Sequence, residues 1–233
     1  MIEINDLHVG YYKDLDILRG VSMNAEQSRI TTVLGANGVG KSTLLKAIYG
    51  FLKPRSGQIL LQSQDISGTP PHQLINLGVS YIPQHSSVFP HMSVEDNLRL
   101  GAWTFRRDKA RIQRKLEENY ERFPLLSERR NDNAGLLSGG MQRMVEVGRT
   151  LMTDPKLILV DEPTAGLAKM LSEEVYRMLA NLRDQEGLTM ILVDQEIRQA
   201  LKIADYVYVL ELGRNRVDGP TQEFTDLKKA LWD

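Results

Sequence analysis

The sequence predicts an α/β protein: a core with a mainly parallel sheet, an antiparallel β subdomain near the N-terminus and a helical insert in the middle. Three observations predict it. Short apolar runs at residues 30–34 (ITTVL), 156–160 (KLILV) and 188–193 (LTMILV) have the composition of strands buried on both faces. Segments of helical period alternate with the later runs, which is the pattern of parallel strands joined by crossover helices. The opening residues instead alternate apolar with polar, as half-buried antiparallel strands do.

In chain order, residues 2–9 (IEINDLHV) and 21–25 (VSMNA) are separated by the polar segment KDLD at residues 13–16 and read as antiparallel strands. Tyr11 and Tyr12 fall in the turn between them, where tyrosines serve packing, surface or base stacking. Residues 35–43 (GANGVGKST) then fit the phosphate-binding pattern G-x-x-x-x-G-K-[ST], with Gly35, Gly40, Lys41 and Ser42 in the fixed places. An apolar run precedes this loop and the helical-period segment TLLKAIYG follows it. Strand, loop and helix are the context that the pattern requires. The glycines let backbone N–H groups turn toward phosphates, Lys41 brings a point charge to the outer phosphates, and the Ser42 hydroxyl is a ligand for Mg²⁺. The loop therefore asks for a nucleoside triphosphate.

Residues 51–57 read as a loop, 58–66 (QILLQSQDI) as a further strand and 67–71 as a turn. The strand GVSYIP, ended by Pro83, delivers Gln84 at its C-terminal end, where open α/β sheets place ligand groups. The middle of the chain is charged and helical, and Ser93 followed by Glu95 and Asp96 marks a helix start. Its Arg106, Arg107, Lys109, Arg111, Arg114 and Lys115 alternate with Glu117, Glu118 and Glu121, so they read as a solvated face rather than a nucleic-acid surface. LSGGMQ at residues 137–142 puts paired glycines at the start of a helical run. That is an anion-binding nest, although SGG by itself also suits a linker.

Pro155 breaks that helix, and the apolar run behind it ends in Asp161 and Glu162. Two adjacent buried carboxylates cost several kcal/mol unless a cation or hydrogen bonds offset them. With Mg²⁺ already implied by the phosphate loop, Asp161 is expected to order the metal's surroundings and Glu162 to polarise the attacking water. A helix N-cap is the alternative role. An amphipathic helix closed by Gly187, a buried strand, the helix EIRQALKIA and a hairpin turning at residues 213–215 complete the pattern.

Composition bounds the rest. The 233 residues are 42% hydrophobic, enough for a packed core, and 29 Lys plus Arg balance 30 Asp plus Glu, so charge marks no nucleic-acid or lipid partner. Cysteine is absent, which excludes thiolate sites, and oxygen ligands are expected for any metal. No secretory leader or membrane-length apolar run is found, and a soluble, unexported chain is expected.

In this order, GANGVGKST, Gln84, LSGGMQ, LILVDE and the segment at residues 165–168 (AGLA) resemble the ATP-binding cassette (ABC) ATPases, the motor subunits of membrane transporters. Most specific is LSGG between the phosphate loop and the paired carboxylates. GANGVGKST, EPTAGLA and the strand end at Val193, Asp194 and Gln195 are similar to the ATPases of branched-chain amino-acid importers and of their urea or amide relatives. The resemblance implies one ATPase domain over residues 1–233, with core and antiparallel parts near 1–84 and 154–233 and a helical part near 85–153. It implies ATP held by Tyr11 against the adenine and by Gly35, Asn37, Gly38, Gly40, Lys41, Ser42, Thr43 and Gln84. Mg²⁺ would meet Ser42, Gln84 and Asp161, Glu162 and Gln195 would be catalytic, and Ser138, Gly139 and Gly140 would close over the ATP of a second subunit.

The implied assembly is a head-to-tail homodimer, or a heterodimer with a related ATPase subunit. It would sit at the cytoplasmic face of the cell membrane against separate membrane subunits, without nucleic acid. Residues 165–168 would run between its two sites. Three positions depart from the family pattern: Met141 in the signature, Gln195 where most members carry histidine, and Ser28 where a glycine is common before the phosphate-loop strand. Gln195 donates a hydrogen bond but takes no proton at neutral pH, which leaves catalysis to Glu162. An exporter of the lipopolysaccharide type, a non-transport ABC ATPase and a nucleotide-binding regulatory module are the other readings; the Glu162 carboxylate argues against the last.

Overall fold

The protein is described by a computed structural model covering residues 1–12 and 15–224. Lys13 and Asp14 of the polar connection, and residues 225–233 at the end of the implied domain, lie outside the described residues.

Three layers organise the chain. The first is an antiparallel sheet of order β2-β1-β4-β5, made of β1 (Ile2–Val9), β2 (Leu18–Ala25), β4 (Ser56–Leu61) and β5 (Gln64–Asp65). The second is a six-stranded sheet, with β3 (Ile30–Leu34), β6 (Val79–Ile82), β7 (Leu157–Asp161), β8 (Thr189–Val193), β9 (Tyr206–Glu211) and β10 (Arg214–Pro220) in the order β10-β9-β3-β8-β7-β6. Its strands are parallel from β9 to β6, and β10 alone runs antiparallel at the edge. Every residue of β3, β7 and β8 is buried, as apolar runs without alternation require.

Helix α1 (Lys41–Ile48) lies between the two sheets, and Leu44, Leu45, Ala47 and Ile48 join one apolar cluster with Ile4, Val21 and Ile59 of the first sheet and Leu159 and Ile191 of the second. The short helix α2 (Pro71–Leu74) leads into β6. Between β6 and β7 the chain forms the helical layer: α3 (Val94–Leu100), α4 (Lys109–Arg122), α5 (Pro124–Glu128) and α6 (Gly139–Leu151). Ser93 caps α3 by accepting from the Asp96 amide at 3.0 Å, as its sequence signal predicts. A second apolar cluster, including Leu98, Leu116, Val145, Val160, Leu179 and Leu192, joins these helices to the sheet and to α7 (Lys169–Glu186). Helices α8 (Ile197–Ile203) and α9 (Thr221–Phe224) complete the described chain.

Two local expectations are corrected. Residues 58–66 are a hairpin rather than one strand, because Gln62 and Ser63 both take left-handed backbone conformations (φ 49° and 66°) and reverse the chain. The last hairpin turns at Leu212 and Gly213 (φ 49° and 78°), one residue before the expected place. Ser28 is also left-handed, at φ 57°. Glycine suits that backbone; here the serine hydroxyl donates to the Gly187 carbonyl at 2.8 Å, while its amide donates to Thr189 Oγ1 at 2.9 Å.

Candidate functional site

The C-terminal ends of β3, β7 and β8 and the start of α1 converge on one polar cluster. At Gly40 the backbone has φ 111°, and a Cβ there would stand 2.7 Å from Leu18 Cδ2, so the tight entry into α1 requires glycine. No side chain caps α1 and no acid lies in its first turn. Its leading N–H groups and its dipole are thus available to an anion.

Lys41, only 4% exposed, donates to the carbonyls of Gly35 (2.9 Å) and Ala36 (3.2 Å) and stands 3.9 Å from Glu162 Oε1. Burial lowers its pKa, and the charges of Glu162, Asp194 and Asp161 offset part of that loss. Ser42 Oγ donates to Asp161 Oδ1 at 2.8 Å. Gln84 Nε2 donates to Glu162 Oε2 at 2.7 Å, so the loop glutamine meets the second carboxylate and not the first. Glu162 follows β7 with a left-handed backbone, φ 42°, and its amide donates to the Val193 carbonyl. Such a conformation in a non-glycine residue costs on the order of 1–3 kcal/mol and is typical of functional sites. Burial raises the Glu162 pKa, Lys41 pulls it back down, and Asp161 and Asp194 raise it further.

The donor set suits a hard cation. Among the described residues no three His, Cys, Asp or Glu side chains form a metal cage. Mg²⁺ does not need one, because it is held through one or two carboxylates, water and the phosphates of its nucleotide. Ser42 and Asp161 bring a hydroxyl and a carboxylate together at the start of α1, and Gln84 sets a side-chain amide against Glu162; these are the groups that would hold the ion.

Of the two turn tyrosines, Tyr11 is 51% exposed and its hydroxyl lies 3.5 Å from Thr43 Oγ1, whereas Tyr12 is 77% exposed. Only Tyr11 touches the phosphate-loop helix. Replacing Tyr11 with Ala is expected to weaken ATP binding about tenfold or more, given ~1–3 kcal/mol for stacking on one base, and replacing Tyr12 much less. A nucleotide titration giving equal or reversed losses would overturn this assignment. Asn37 and Gly38 are exposed and line a cleft of about 600 Å³ with Asp16, Ile17 and the β9–β10 turn.

The structure separates two predicted groups from this cluster. Gln195 is exposed, and only its backbone is engaged, donating to Asp194 Oδ1 at 2.7 Å. Ser138, Gly139 and Gly140 begin α6, where Ser138 Oγ accepts from the Met141 amide at 3.3 Å. Gly139 lines a cleft of about 310 Å³ with Gln84, Ala165 and Leu167, and no phosphate-loop residue borders it. The exposed signature serine and the phosphate loop therefore present separate surfaces within one chain.

Four further residues belong to the site. Tyr81 donates to Asp161 Oδ2 at 2.8 Å. Asp194, 1% exposed, accepts from Tyr176 Oη at 2.6 Å and from the Gln195 and Glu196 amides; Tyr176 also meets Thr164, beside the 165–168 segment. Arg143 of α6 donates to the Pro83 and Gln84 carbonyls at 2.9 and 3.0 Å, tying the signature helix to the glutamine loop. The one sequence signal for them is polarity inside otherwise apolar stretches.

Comparison with known proteins agrees with this geometry. The pattern of the ABC transporter family matches residues 18–165. A high-affinity branched-chain amino acid transport ATP-binding protein, BraG of Pseudomonas aeruginosa, is 40% identical over 88% of this chain and 86% of its own. A lipopolysaccharide export system ATP-binding protein, LptB of Acidithiobacillus ferridurans, is 33% identical over 92% and 88%. Among solved structures, the ADP conformation of MJ1267, an ATP-binding cassette of an ABC transporter, superposes with TM-score 0.88 at 28% identity, covering 99% of this chain and 95% of the other.

Proposed function

The chain belongs to the ABC transporter family as an ATP-binding, ATP-hydrolysing subunit, and from that premise we propose that it powers uptake of branched-chain amino acids, or of a closely related small solute, through separate membrane subunits. The observation that carries the choice of import is the 40% identity to BraG over most of both chains, set against 33% to LptB.

The geometry supports a division of labour. Lys41 and the amides of α1 hold the outer phosphates. Glu162, fixed by Gln84, orients and polarises the attacking water, and Ser42 with Asp161 faces the metal. Bound there, Mg²⁺ would supply positive charge to the phosphate oxygens. Gln195 contributes a hydrogen-bond donor near the γ-phosphate once the site closes. Closure needs a second copy or a related ATPase, whose Ser138–Gly140 nest lies over this chain's nucleotide.

No helix among the described residues is long and apolar enough to cross a membrane. Similarity to transporter ATP-binding proteins supports a place at the cytoplasmic face, against membrane partners. A groove of about 450 Å³ between the end of α1, α2 and the helical layer is lined by Tyr49, His72, Tyr81 and Trp103, and supports a seat for such a partner. The helical part, taken as residues 85–153, would carry its movement to Gln84 through Arg143. The remainder, 1–84 and 154–233, would form the nucleotide-binding core of one domain.

Reconstitution in liposomes with its membrane subunits tests this reading. ATP-driven leucine uptake is expected, and Lys41→Ala should lower turnover by at least about 100-fold, the scale of losing one charge-stabilising donor on a transferring group. ATP-driven release of a lipid cargo, or turnover indifferent to every membrane partner and amino acid, would sink the import assignment.

A further inference from the structure

The geometry points to Tyr81 as a positioning residue for the metal-side carboxylate. Its hydroxyl sets the orientation of Asp161 and thereby the site's demand for Mg²⁺. This rests on the reading of Asp161 as the carboxylate that faces Mg²⁺.

Asp161 is 2% exposed, and its two oxygens have one side-chain donor each: Ser42 at Oδ1 and Tyr81 at Oδ2, both at 2.8 Å. A carboxylate held at one oxygen still turns about its own axis; held at both, it has one plane. The donors come from different elements. Ser42 stands in the first turn of α1, whereas Tyr81 stands on β6, the neighbour of β7, in register with Leu159. The oxygen occupied by Tyr81 is the one that Ser42 does not use. The phenol thus leaves Oδ1 directed at the phosphate-loop serine.

The phenol is itself held by rings. Tyr49, directly after α1, stacks on Tyr81 with centroids 5.5 Å apart and planes 23° apart, and Phe51 meets the Tyr81 ring edge-on at 5.6 Å. Helix α1 therefore addresses both oxygens of Asp161, one directly through Ser42 at its start and the other through Tyr49, just past its end, acting on Tyr81. Tyr49 and Tyr81 also line the groove beside the helical layer, so a single ring spans the distance between that surface and the carboxylate.

Partners that orient a metal ligand change metal affinity by about 10–100-fold when removed. The test is equilibrium binding of a non-hydrolysable ATP analogue to the full chain, titrated with MgCl₂ and repeated in EDTA. Tyr81→Phe keeps the ring stack and removes the hydroxyl. It is expected to raise the Mg²⁺ midpoint about 10–100-fold while leaving affinity in EDTA within about twofold. Tyr49→Ala, which keeps the hydroxyl and removes its support, should shift the midpoint in the same direction with affinity in EDTA retained. In an Asp161→Asn background, Tyr81→Phe should add nothing.

Failure is distinguishable at each level. If Asp161→Asn leaves the midpoint unchanged, the metal-side reading of Asp161 falls, and this inference falls with it. If Asp161→Asn shifts the midpoint and Tyr81→Phe does not, Tyr81 has no positioning role. Equal losses with Mg²⁺ and in EDTA would make the hydroxyl merely structural and also overturn the inference.

Discussion

Replacing Glu162 with Gln is expected to stop ATP hydrolysis, by about 10²–10⁴-fold on the scale of a lost general base, while ATP binding remains. Gln keeps the size of the side chain and an oxygen that can accept from Gln84 Nε2, now at 2.7 Å from the carboxylate. What it loses is the charge that polarises water. Lys41 loses its ion-pair partner at 3.9 Å, but bound phosphate supplies a nearer anion. Trapping of an ATP-bound dimer follows, visible by size-exclusion chromatography with Mg-ATP beside a turnover assay. Wild-type turnover by the variant would remove Glu162 from its role.

The same variant carries a stability prediction with a definite sign. Glu162 has a raised folded-state pKa, chiefly because burial disfavours its charge. A group raised in the folded state contributes stability that is full below its unfolded pKa and is lost as pH rises through the folded value. An ionised Glu162 in the folded chain is therefore a net cost. Gln, which stays neutral, should melt no lower than the wild type at pH 7, and its advantage should vanish in acid. A melting temperature well below wild type at pH 7 would show that the Lys41 pair outweighs the burial cost.

How much of this was legible in the sequence depends on where the partners of each residue lie. The phosphate loop and the Asp161–Glu162 pair could be read because each is contiguous and sits beside an apolar strand. Tyr81, Asp194 and Arg143 could not. Their partners come from elements far apart in the chain: β6 meets β7 across the helical layer, β8 ends beside Tyr176 of α7, and α6 reaches back to the glutamine loop. In GVSYIP a tyrosine is an ordinary strand residue, and only the parallel register gives its hydroxyl a carboxylate. The hairpin at Gln62 and Ser63 was missed for a local reason. Two successive left-handed residues there form a turn that Asn-Gly usually marks, and Gln-Ser carries no such signal. Gln195, expected from its motif position to touch the γ-phosphate, has an exposed side chain in the single chain.

Separation of the signature from the phosphate loop leads to the prediction with the broadest effect. Ser138 is exposed at the N-terminus of α6, with its oxygen already engaged by the Met141 amide, and Gly139 and Gly140 are hemmed in by Leu167 and Leu171. Ser138 faces outward, whereas the cleft beside Gly139 borders no phosphate-loop residue of its own chain. In the proposed two-subunit site a γ-phosphate bound at Lys41 would reach the nest of the other subunit, so ATP would join the two chains. On that reading hydrolysis would remove the anion that both surfaces share and the dimer would open, with Arg143, which holds the Pro83 and Gln84 carbonyls, linking α6 to the glutamine loop. Arg at position 138 places a long side chain where the second chain must close, while leaving Tyr11 and the phosphate loop untouched. Ser138→Arg should therefore bind ATP as a monomer with near wild-type affinity, fail to dimerise with ATP, and lose hydrolysis by at least about 100-fold, as deletion of a transition-state contact does. Light scattering and turnover measured across protein concentrations decide the matter. Unchanged hydrolysis that is independent of concentration would mean that one chain holds the whole active site, and the two-subunit mechanism would have to be given up.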